Sequence, residues 1–324
     1  MSEKTLIARH AFTVWVGQLA VMAFGVTDTV VAGRYDPTAL AALSVGSAVY
    51  ISVFVTLMGL LQATLPMLSE LHGAQRHADM GRLMRQSIYI WLGASALGMA
   101  VLMNAGMALE WTQVPMPLRP TIEHYLDVLA AALPAALAFR LYGNLNQALG
   151  RPKAVTWVQL LGLACKIPLS ALLTFGWSAD SGWGVVGCAL ATLIVNWLMA
   201  AFALLALHRG NYGDLHLWRR IEPPDPSKIS AMLRLGLPNA GSITVEVTSY
   251  TLMALLISRL GSTAAASHQI MSNMGALLYM VPLSLSIATS ARVSYWIGAG
   301  QPPKARLAIR HGLGWIVKIG RAHV

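Results

Sequence analysis

The chain has 324 residues, of which 56% are hydrophobic and only 11% are charged, and its mean hydropathy is +0.58. Soluble domains carry roughly 25% charged residues, so this composition excludes an ordinary soluble protein and predicts a membrane protein. A net charge of +10 would favour a nucleic-acid partner in a soluble chain. Here the basic residues cluster in loops between apolar stretches, so we expect them to report membrane topology and expect no nucleic-acid binding.

Eight apolar stretches approach the ~20 residues that a helix needs to cross the hydrocarbon core of a bilayer. In chain order they are Ala11–Ala32, Ser44–Ser69, Ser87–Met107, Tyr125–Leu149, Val155–Trp177, Val185–Leu207, Leu235–Leu260 and Ala264–Trp296. The last is too long for one straight span, and Pro282 is expected to kink it unless its ends leave the bilayer. Part of a ninth begins near Leu307. The predicted fold class is therefore an all-α polytopic membrane protein.

The loop charges predict the orientation of these helices. With the amino terminus on the cytoplasmic side, fifteen Lys and Arg residues fall in or near cytoplasmic loops, and the opposite side receives only Arg34, Arg119 and Arg259. Such an excess follows the positive-inside rule. We therefore predict a multi-pass protein of a bacterial cytoplasmic (inner) membrane with a cytoplasmic amino terminus and no cleavable signal peptide.

A proline-rich stretch separates two related halves. The run Glu222-Pro223-Pro224-Asp225-Pro226 cannot continue a helix, so residues 208–230 are interpreted as a cytoplasmic linker after an amino-terminal six-helix bundle, residues 1–207. An offset of 225 positions aligns Arg34 with Arg259 and Gly73-Ala74 with Gly298-Ala299. Since six spans precede the linker, the two copies share an orientation, as in a parallel repeat.

The second copy, residues 231–318, is predicted to be incomplete. Its third helix, expected by analogy with Ser87–Met107, breaks off after about half a span. Residues 319–324 resemble the translation of a sequencing-adapter read-through and are predicted to be non-native. The expected parent has two six-helix bundles, of which this chain holds eight transmembrane helices and part of a ninth.

Charged residues deep in the apolar stretches are the first functional indication. A carboxylate at the centre of a membrane helix costs ~2.5–3.5 kcal/mol even on lenient scales. Asp28 either faces a cavity and binds H⁺ or Na⁺, or snorkels towards the outer end of its helix. Lys166 and Arg140 are the other deep charges in the amino-terminal bundle, and we hypothesise that Lys166 pairs with Asp28 because no other deep acid lies in that half.

Glu246 lies about eleven residues into its stretch, near the bilayer midplane at 1.5 Å per residue. Ser249 and Tyr250 share its helix face and can line a cation site with it. A second polar group on the next helix contains His268, Gln269, Ser272 and Asn273. For those side chains, hydrogen bonding between helices is an equally good interpretation. No metalloprotease, nucleotide-binding or metal-cluster motif occurs, so we predict that the chain is not an enzyme and uses an ion gradient or no energy source.

Several segments resemble the multidrug and toxic compound extrusion (MATE) transporters, particularly the NorM-type branch. They are residues 26–34 around Asp28, residues 184–192 ending at Thr192, Arg234–Pro238, Glu246, and Ala266–Ile270. The resemblance implies two six-helix bundles that export small organic cations in exchange for Na⁺ or H⁺. It also implies a monomer surrounded by membrane lipid, with no cofactor besides the coupling ion. By that likeness Asp28 and Glu246 are the two cation-coupling residues, Glu246 is a possible Na⁺ ligand, and Thr192 supplies a hydroxyl near Asp28.

Three departures accompany the resemblance. Lys166 and Ser170 stand where relatives with an amino-terminal cation site carry Asn and Asp or Asn, so an ammonium could replace the mobile cation there. Thr13 replaces a first-helix proline, and the tenth-helix acid that completes the Glu246 site in relatives lies beyond the break. Two other functions remain open, a lipid-linked oligosaccharide flippase of the same superfamily and a non-transporting membrane scaffold.

Overall fold

A computed structural model describes residues 3–111, 115–176, 182–210, 212–219, 222–258 and 262–321. These residues form helices and connecting turns with no β-strand among them, which confirms the predicted all-α class. The helices are α1 (Glu3–Tyr35), α2 (Pro37–Gln62), α3 (Thr64–Gly73), α4 (His77–Met103), α5 (Gly106–Trp111), α6 (Arg119–Ala148), α7 (Pro152–Phe175), α8 (Val185–Arg209), α9 (Pro226–Ser258), α10 (Ser262–Gly298) and α11 (Pro302–Arg321).

Within the described residues, seven helical segments are long and apolar enough to cross a membrane. They correspond to α1, α2 with α3, α4, α6 with the turn before it, α7, α8 and the part of α10 from Met274 to Gly298. The predicted stretch Leu235–Leu260 lies in α9, and its last two residues fall outside the described part of the chain. The number of spans therefore differs slightly from the predicted eight, while the polytopic architecture is confirmed.

The predicted stretch Ser44–Ser69 is not one helix but is divided between α2 and α3 at Ala63. Pro66 has no N–H to donate to the carbonyl of Gln62, four residues earlier, so the helical hydrogen-bond ladder is interrupted there. Asn144 of α6 donates to the Leu61 carbonyl and to the Thr64 hydroxyl, each at 2.9 Å. A buried side chain of α6 is thus bonded to one backbone carbonyl and one hydroxyl at the break.

Helix α6 occupies the centre of the amino-terminal bundle. It packs against α2, α3, α4 and α8, and Leu126, Leu129 and Leu133 along it are fully buried. Helices α1, α7 and α8 pack against one another beside it. Those three helices carry the amino-terminal site.

The later helices pack onto the first bundle in a reciprocal way. Helix α1 contacts α10, and α2 contacts α9, while α3 lies directly against α10. The offset of 225 residues relates α1 to α9 and the α2–α3 pair to α10, so the first two contacts are equivalent under the proposed repeat. This arrangement is the one expected when two copies of a unit meet about an axis along the membrane normal.

The proline-rich connection before α9 is bound to α4. Arg85, a buried residue, donates to the carboxylate of Glu222 at 2.9 Å and to the carbonyl of His216 at 2.7 Å. Gln86 donates to the Pro223 carbonyl at 3.0 Å, and its own side-chain oxygen accepts from the Asp225 backbone at 2.8 Å. The connection therefore follows the surface of α4 closely. The domain boundaries predicted around it remain predictions.

Candidate cation sites

The carboxylate of Asp28 on α1 lies against the ammonium of Lys166 on α7. The Lys166 Nζ atom is 2.8 Å from Asp28 Oδ1 and 2.9 Å from Oδ2. Only 8% of Asp28 and none of Lys166 is exposed to solvent. The hypothesised pairing of the two residues is confirmed, and the alternative in which Asp28 snorkels alone is wrong because the carboxylate is buried against a partner.

Further oxygen atoms surround the same ammonium. Lys166 also donates to the carbonyl of Cys188, at 3.0 Å, and to the hydroxyl of Thr192. Ser170, fully buried, donates to Asp28 Oδ1 at 3.2 Å. An ammonium has three N–H donors, and here the carboxylate, the carbonyl and the hydroxyl each receive one. Each N–H group of the buried ammonium therefore has an acceptor.

Helix periodicity explains how these groups converge. Lys166 and Ser170 are four residues apart on α7, and Cys188 and Thr192 are four residues apart on α8, so each helix directs one face towards Asp28. The two helices approach closely near that point. A Cβ atom on Gly187 would lie 2.5 Å from the backbone carbonyl of Leu173, so a glycine is required where α8 crosses α7.

The Cys188 carbonyl was not among the groups predicted for this site. Its position one turn before Thr192 was the available signal, since residues four apart on a helix share a face. Arg140, the other deep cation in this half, lies elsewhere. It donates to the side chain of Gln62 on α2 at 2.5 Å and makes no part of the Asp28 cluster.

Glu246 lies on α9 in a different environment. Its side chain is exposed, and its carboxylate lies close enough to the hydroxyl of Tyr279 on α10 to interact with it electrostatically. Ser249 and Tyr250 are exposed on the same helix, and the Tyr250 ring lies 6.1 Å from the ring of His268, centroid to centroid. The structure thus brings Glu246, Tyr250 and His268 to the α9–α10 boundary, apart from the Asp28 cluster.

Tyr279 was missed in the sequence analysis, which considered the polar residues of α10 only up to Asn273. The signal was its hydroxyl two helical turns beyond Ser272. The predicted roles of Gln269, Ser272 and Asn273 concern side chains outside the described ones. The Nε2 atom of His268 is buried with no hydrogen-bond partner among the described residues, which leaves it available for a ligand on this boundary.

A cavity of about 520 Å³ lies between α6, α7 and α8. It is lined by Trp157, Phe202, Arg209 and other residues, and its lining does not include Asp28 or Glu246. Its position at the Arg151 and Arg209 ends of these helices separates it from both acidic residues. The two candidate cation sites are therefore argued from their own contacts.

The packed apolar helices, with an ion pair buried among them, define an all-α polytopic membrane protein. The MatE family model matches residues 14–172 and 238–322, and the chain belongs to this family. It is 38% identical over 309 residues to the probable multidrug resistance protein NorM of Aromatoleum aromaticum, covering 95% of this chain and 67% of that protein. It is 35% identical over 326 residues to the protein of the same name in Chromobacterium violaceum, covering 99% and 69%.

Solved structures agree on the fold. The Vibrio cholerae MATE transporter VcmN in its bent form superposes with a TM-score of 0.86 at 18% sequence identity, over 98% of this chain and 71% of that one. At that level of identity the likeness concerns the fold alone. The resemblance to MATE transporters that the sequence indicated is confirmed by the family model and by the two NorM relatives.

Proposed function

We propose that this chain belongs to a secondary active exporter that moves small organic cations out of a bacterial cell in exchange for Na⁺ or H⁺, with Glu246 as the coupling carboxylate. Its relatives named as multidrug resistance proteins support a multidrug efflux transporter. The observation that carries the choice of Glu246 is that this α9 carboxylate forms no ion pair with any described residue, unlike Asp28, and lies beside the hydroxyl of Tyr279.

The lack of an ion-pair partner among the described residues distinguishes Glu246 from Asp28. A group that takes up and releases an ion in every transport cycle must be reached by that ion, and intramembrane acids of this kind line ion and proton pathways. No described residue neutralises Glu246, whereas the charge of Asp28 is already neutralised by Lys166. The hydroxyl of Tyr279 and the neighbouring Ser249 add neutral oxygen atoms of the kind that Na⁺ and H⁺ sites use.

Exposed aromatic and methionine side chains on α9 and α10, the helices that carry Glu246 and Tyr279, have the chemistry to hold organic cations. Tyr250 and Tyr279 are each 46% exposed, and Met271 and Met274 are more exposed still. Aromatic faces attract cations, and flexible methionine side chains adapt to ligands of different shape. A carboxylate within such a surface can serve a drug cation in one conformation and a coupling ion in another.

Exchange then requires no covalent chemistry. If the ion binds one conformation more tightly and the drug binds the other more tightly, each shifts the equilibrium that the other uses. The sequence contains no nucleotide-binding motif, which favours an ion gradient as the energy source. We further propose location in the bacterial inner membrane, as a monomer with a cytoplasmic amino terminus, because the loop charges follow the positive-inside rule.

The experiment measures ethidium efflux from cells that express the gene recovered from its source DNA. Wild type is compared with Glu246→Gln, and each is assayed with Na⁺ present and with Na⁺ replaced by choline at constant pH. We expect the variant to reach the membrane at normal levels and to lose most of its efflux. Dependence on Na⁺ in the wild type would identify the ion, and insensitivity to Na⁺ with sensitivity to a protonophore would identify H⁺.

Glu110→Gln is the matched control, since Glu110 is an exposed acid on α5 away from the α9–α10 boundary. It should transport like the wild type. Full efflux in Glu246→Gln would remove Glu246 from the coupling role. Absence of efflux of ethidium and related cations from wild-type cells would contradict the multidrug assignment and favour the flippase. A flippase would need basic residues to bind the pyrophosphate of its lipid, and the two deep candidates, Lys166 and Arg140, are both engaged with other side chains.

A further inference from the structure

The ammonium of Lys166 occupies the position of a bound cation. We propose that the Asp28 carboxylate, the Cys188 carbonyl and the Thr192 hydroxyl form a monovalent-cation site that the chain fills with its own Lys166, so that removing this ammonium opens a Na⁺ site. In the intact chain, exchange of the coupling ion is then confined to Glu246. This second statement rests on the proposed function, whereas the first does not.

The ligand set carries the proposal. Two carboxylate oxygens, one backbone carbonyl oxygen and one hydroxyl oxygen surround a single positive charge, with the Asp28 and Cys188 oxygens 2.8 to 3.0 Å from the nitrogen. Carboxylate, carbonyl and hydroxyl oxygens are the atoms that hard cations prefer. The single formal negative charge among these ligands matches a monovalent ion. Ser170 donates a further hydrogen bond to the Asp28 carboxylate.

The covalent attachment of Lys166 decides what can occupy this shell. A tethered group has a high effective concentration at its own site, so a free ion at ordinary concentration competes with it poorly. Displacing the ammonium would also leave a positive charge without a partner in a place where none of the Lys166 side chain reaches solvent. Intact Asp28 is therefore closed to exchange.

The test measures equilibrium binding of ²²Na⁺ to the purified full chain in detergent. Lys166→Ala removes the ammonium and leaves every oxygen of the shell. We expect it to bind one more Na⁺ per chain than the wild type does, and its thermal midpoint should rise with NaCl but not with choline chloride, because a ligand of the folded state stabilises it. Adding Asp28→Asn should abolish the gain.

Lys153→Ala is the matched control, since Lys153 is an exposed lysine at the start of the same helix. It should bind as the wild type does. No additional Na⁺ in Lys166→Ala, or a gain that survives Asp28→Asn, would overturn the proposal.

If Lys166→Ala does not fold, ²²Na⁺ binding is measured on Glu246→Gln, which keeps Lys166. With Lys166 in place, Glu246→Gln should bind no Na⁺. If that variant binds Na⁺ and the binding is lost on adding Asp28→Asn, the site is open despite Lys166 and the proposal is overturned. Failure of the proposed function has a different signature, since Glu246→Gln would then retain efflux whatever Lys166→Ala binds.

Discussion

Gly73, at the end of α3, lies directly against α10 at Gly298, the residue that the 225-position offset pairs with it. A Cβ atom on Gly73 would lie 1.9 Å from the carbonyl oxygen of Tyr295, and one on Gly298 would lie 1.8 Å from the carbonyl oxygen of Glu70. Two equivalent positions can touch each other only near the axis that relates the two copies. The contact therefore supports a pseudo-two-fold axis between α3 and α10.

Gly73→Ala should weaken this crossing. The added methyl group meets backbone atoms that cannot rotate away, and overpacking of that kind costs about 1–3 kcal/mol. The expected result is a lower thermal midpoint of the detergent-solubilised chain. Gly93→Ala is the control, because a Cβ there meets nothing within 4 Å, and it should be neutral or slightly stabilising. Equal midpoints for the two variants would contradict the close approach.

The beginning of α1 is joined to α10 by a bidentate ion pair. Arg292 donates to the two carboxylate oxygens of Glu3 at 2.7 and 2.8 Å, and Trp296 donates to the same carboxylate at 3.0 Å. Glu3→Gln keeps the shape but removes the charge, and hydrogen bonds to charged groups contribute about 1.5–3 kcal/mol. We expect faster hydrogen exchange in the first turns of α1. Unchanged exchange there would show that the ion pair does not hold the helix.

The Asp28–Lys166 contact predicts strong coupling between two substitutions. Lys166→Met leaves a buried carboxylate without its partner and should cost roughly 3–5 kcal/mol in Na⁺-free buffer. Asp28→Asn combined with Lys166→Met removes both charges, so the double variant should be more stable than either single one. A double-mutant cycle on thermal or denaturant unfolding measures this coupling.

Exchanging the charges gives a second readout. Asp28→Lys combined with Lys166→Asp restores a pair of opposite charges, and it should fold better than either single substitution. A double variant no better than the single ones would contradict direct pairing. The measurement is the yield of monodisperse protein by size-exclusion chromatography at matched expression.

The connection before α9 should detach from α4 in acid. Hydrogen bonding from Arg85, together with the charge of Arg82, lowers the pKa of Glu222 below its ordinary value of 4.5. A carboxyl group with a lowered pKa in the folded state stabilises that state above pH 4.5, and the contribution disappears as the pH falls through the lowered value. The hydrogen-exchange protection factors of the Glu222 and Asp225 amides, the two residues of this stretch that have a backbone N–H, should therefore fall below pH 4.5.

Glu222→Gln is the control for that measurement. Its amides at positions 222 and 225 should have low protection already at neutral pH. Their protection should fall little further in acid, because the titrating group is gone. High salt should weaken the wild-type effect, since the Arg82–Glu222 contact at 3.1 Å is partly exposed and exposed charges are screened. Protection that persists in Glu222→Gln would assign the attachment to Gln86 and Tyr89, which contact the backbone of the connection.

Sequence reasoning predicted the apolar helices and the Asp28–Lys166 pair for the same physical reason. Burial in lipid restricts a backbone to helices and a deep charge to a partner, so few alternatives remained. The break at Ala63 was missed because Pro66 acts on a carbonyl four residues earlier and Asn144, far along the chain, compensates for it. The Glu222 attachment was missed because nothing local marks which helix a loop follows.

The partner of Glu246 illustrates a further limit. Which residue of α10 meets Glu246 depends on the rotation of α10 against α9, and helical periodicity gives the face of each helix but not their mutual register. His268 was predicted at this boundary from its neighbours on the same helix. Tyr279, three turns further along α10, shares the face of His268, but its place beside Glu246 depends on that register.

Tyr279→Phe tests whether that hydroxyl assists the coupling site. The ring, and with it any contact to an organic cation, is kept, while the hydroxyl that interacts with the Glu246 carboxylate is lost. A single hydrogen bond contributes about 0.5–1.5 kcal/mol, so the concentration of coupling ion that gives half-maximal efflux should rise roughly 2- to 10-fold. The maximal rate at saturating ion should change little, because Glu246 itself remains. Tyr35→Phe, at the end of α1, is the control and should leave the ion dependence unaltered. An unchanged ion dependence in Tyr279→Phe would remove Tyr279 from the site and leave Glu246 to bind the ion with other groups.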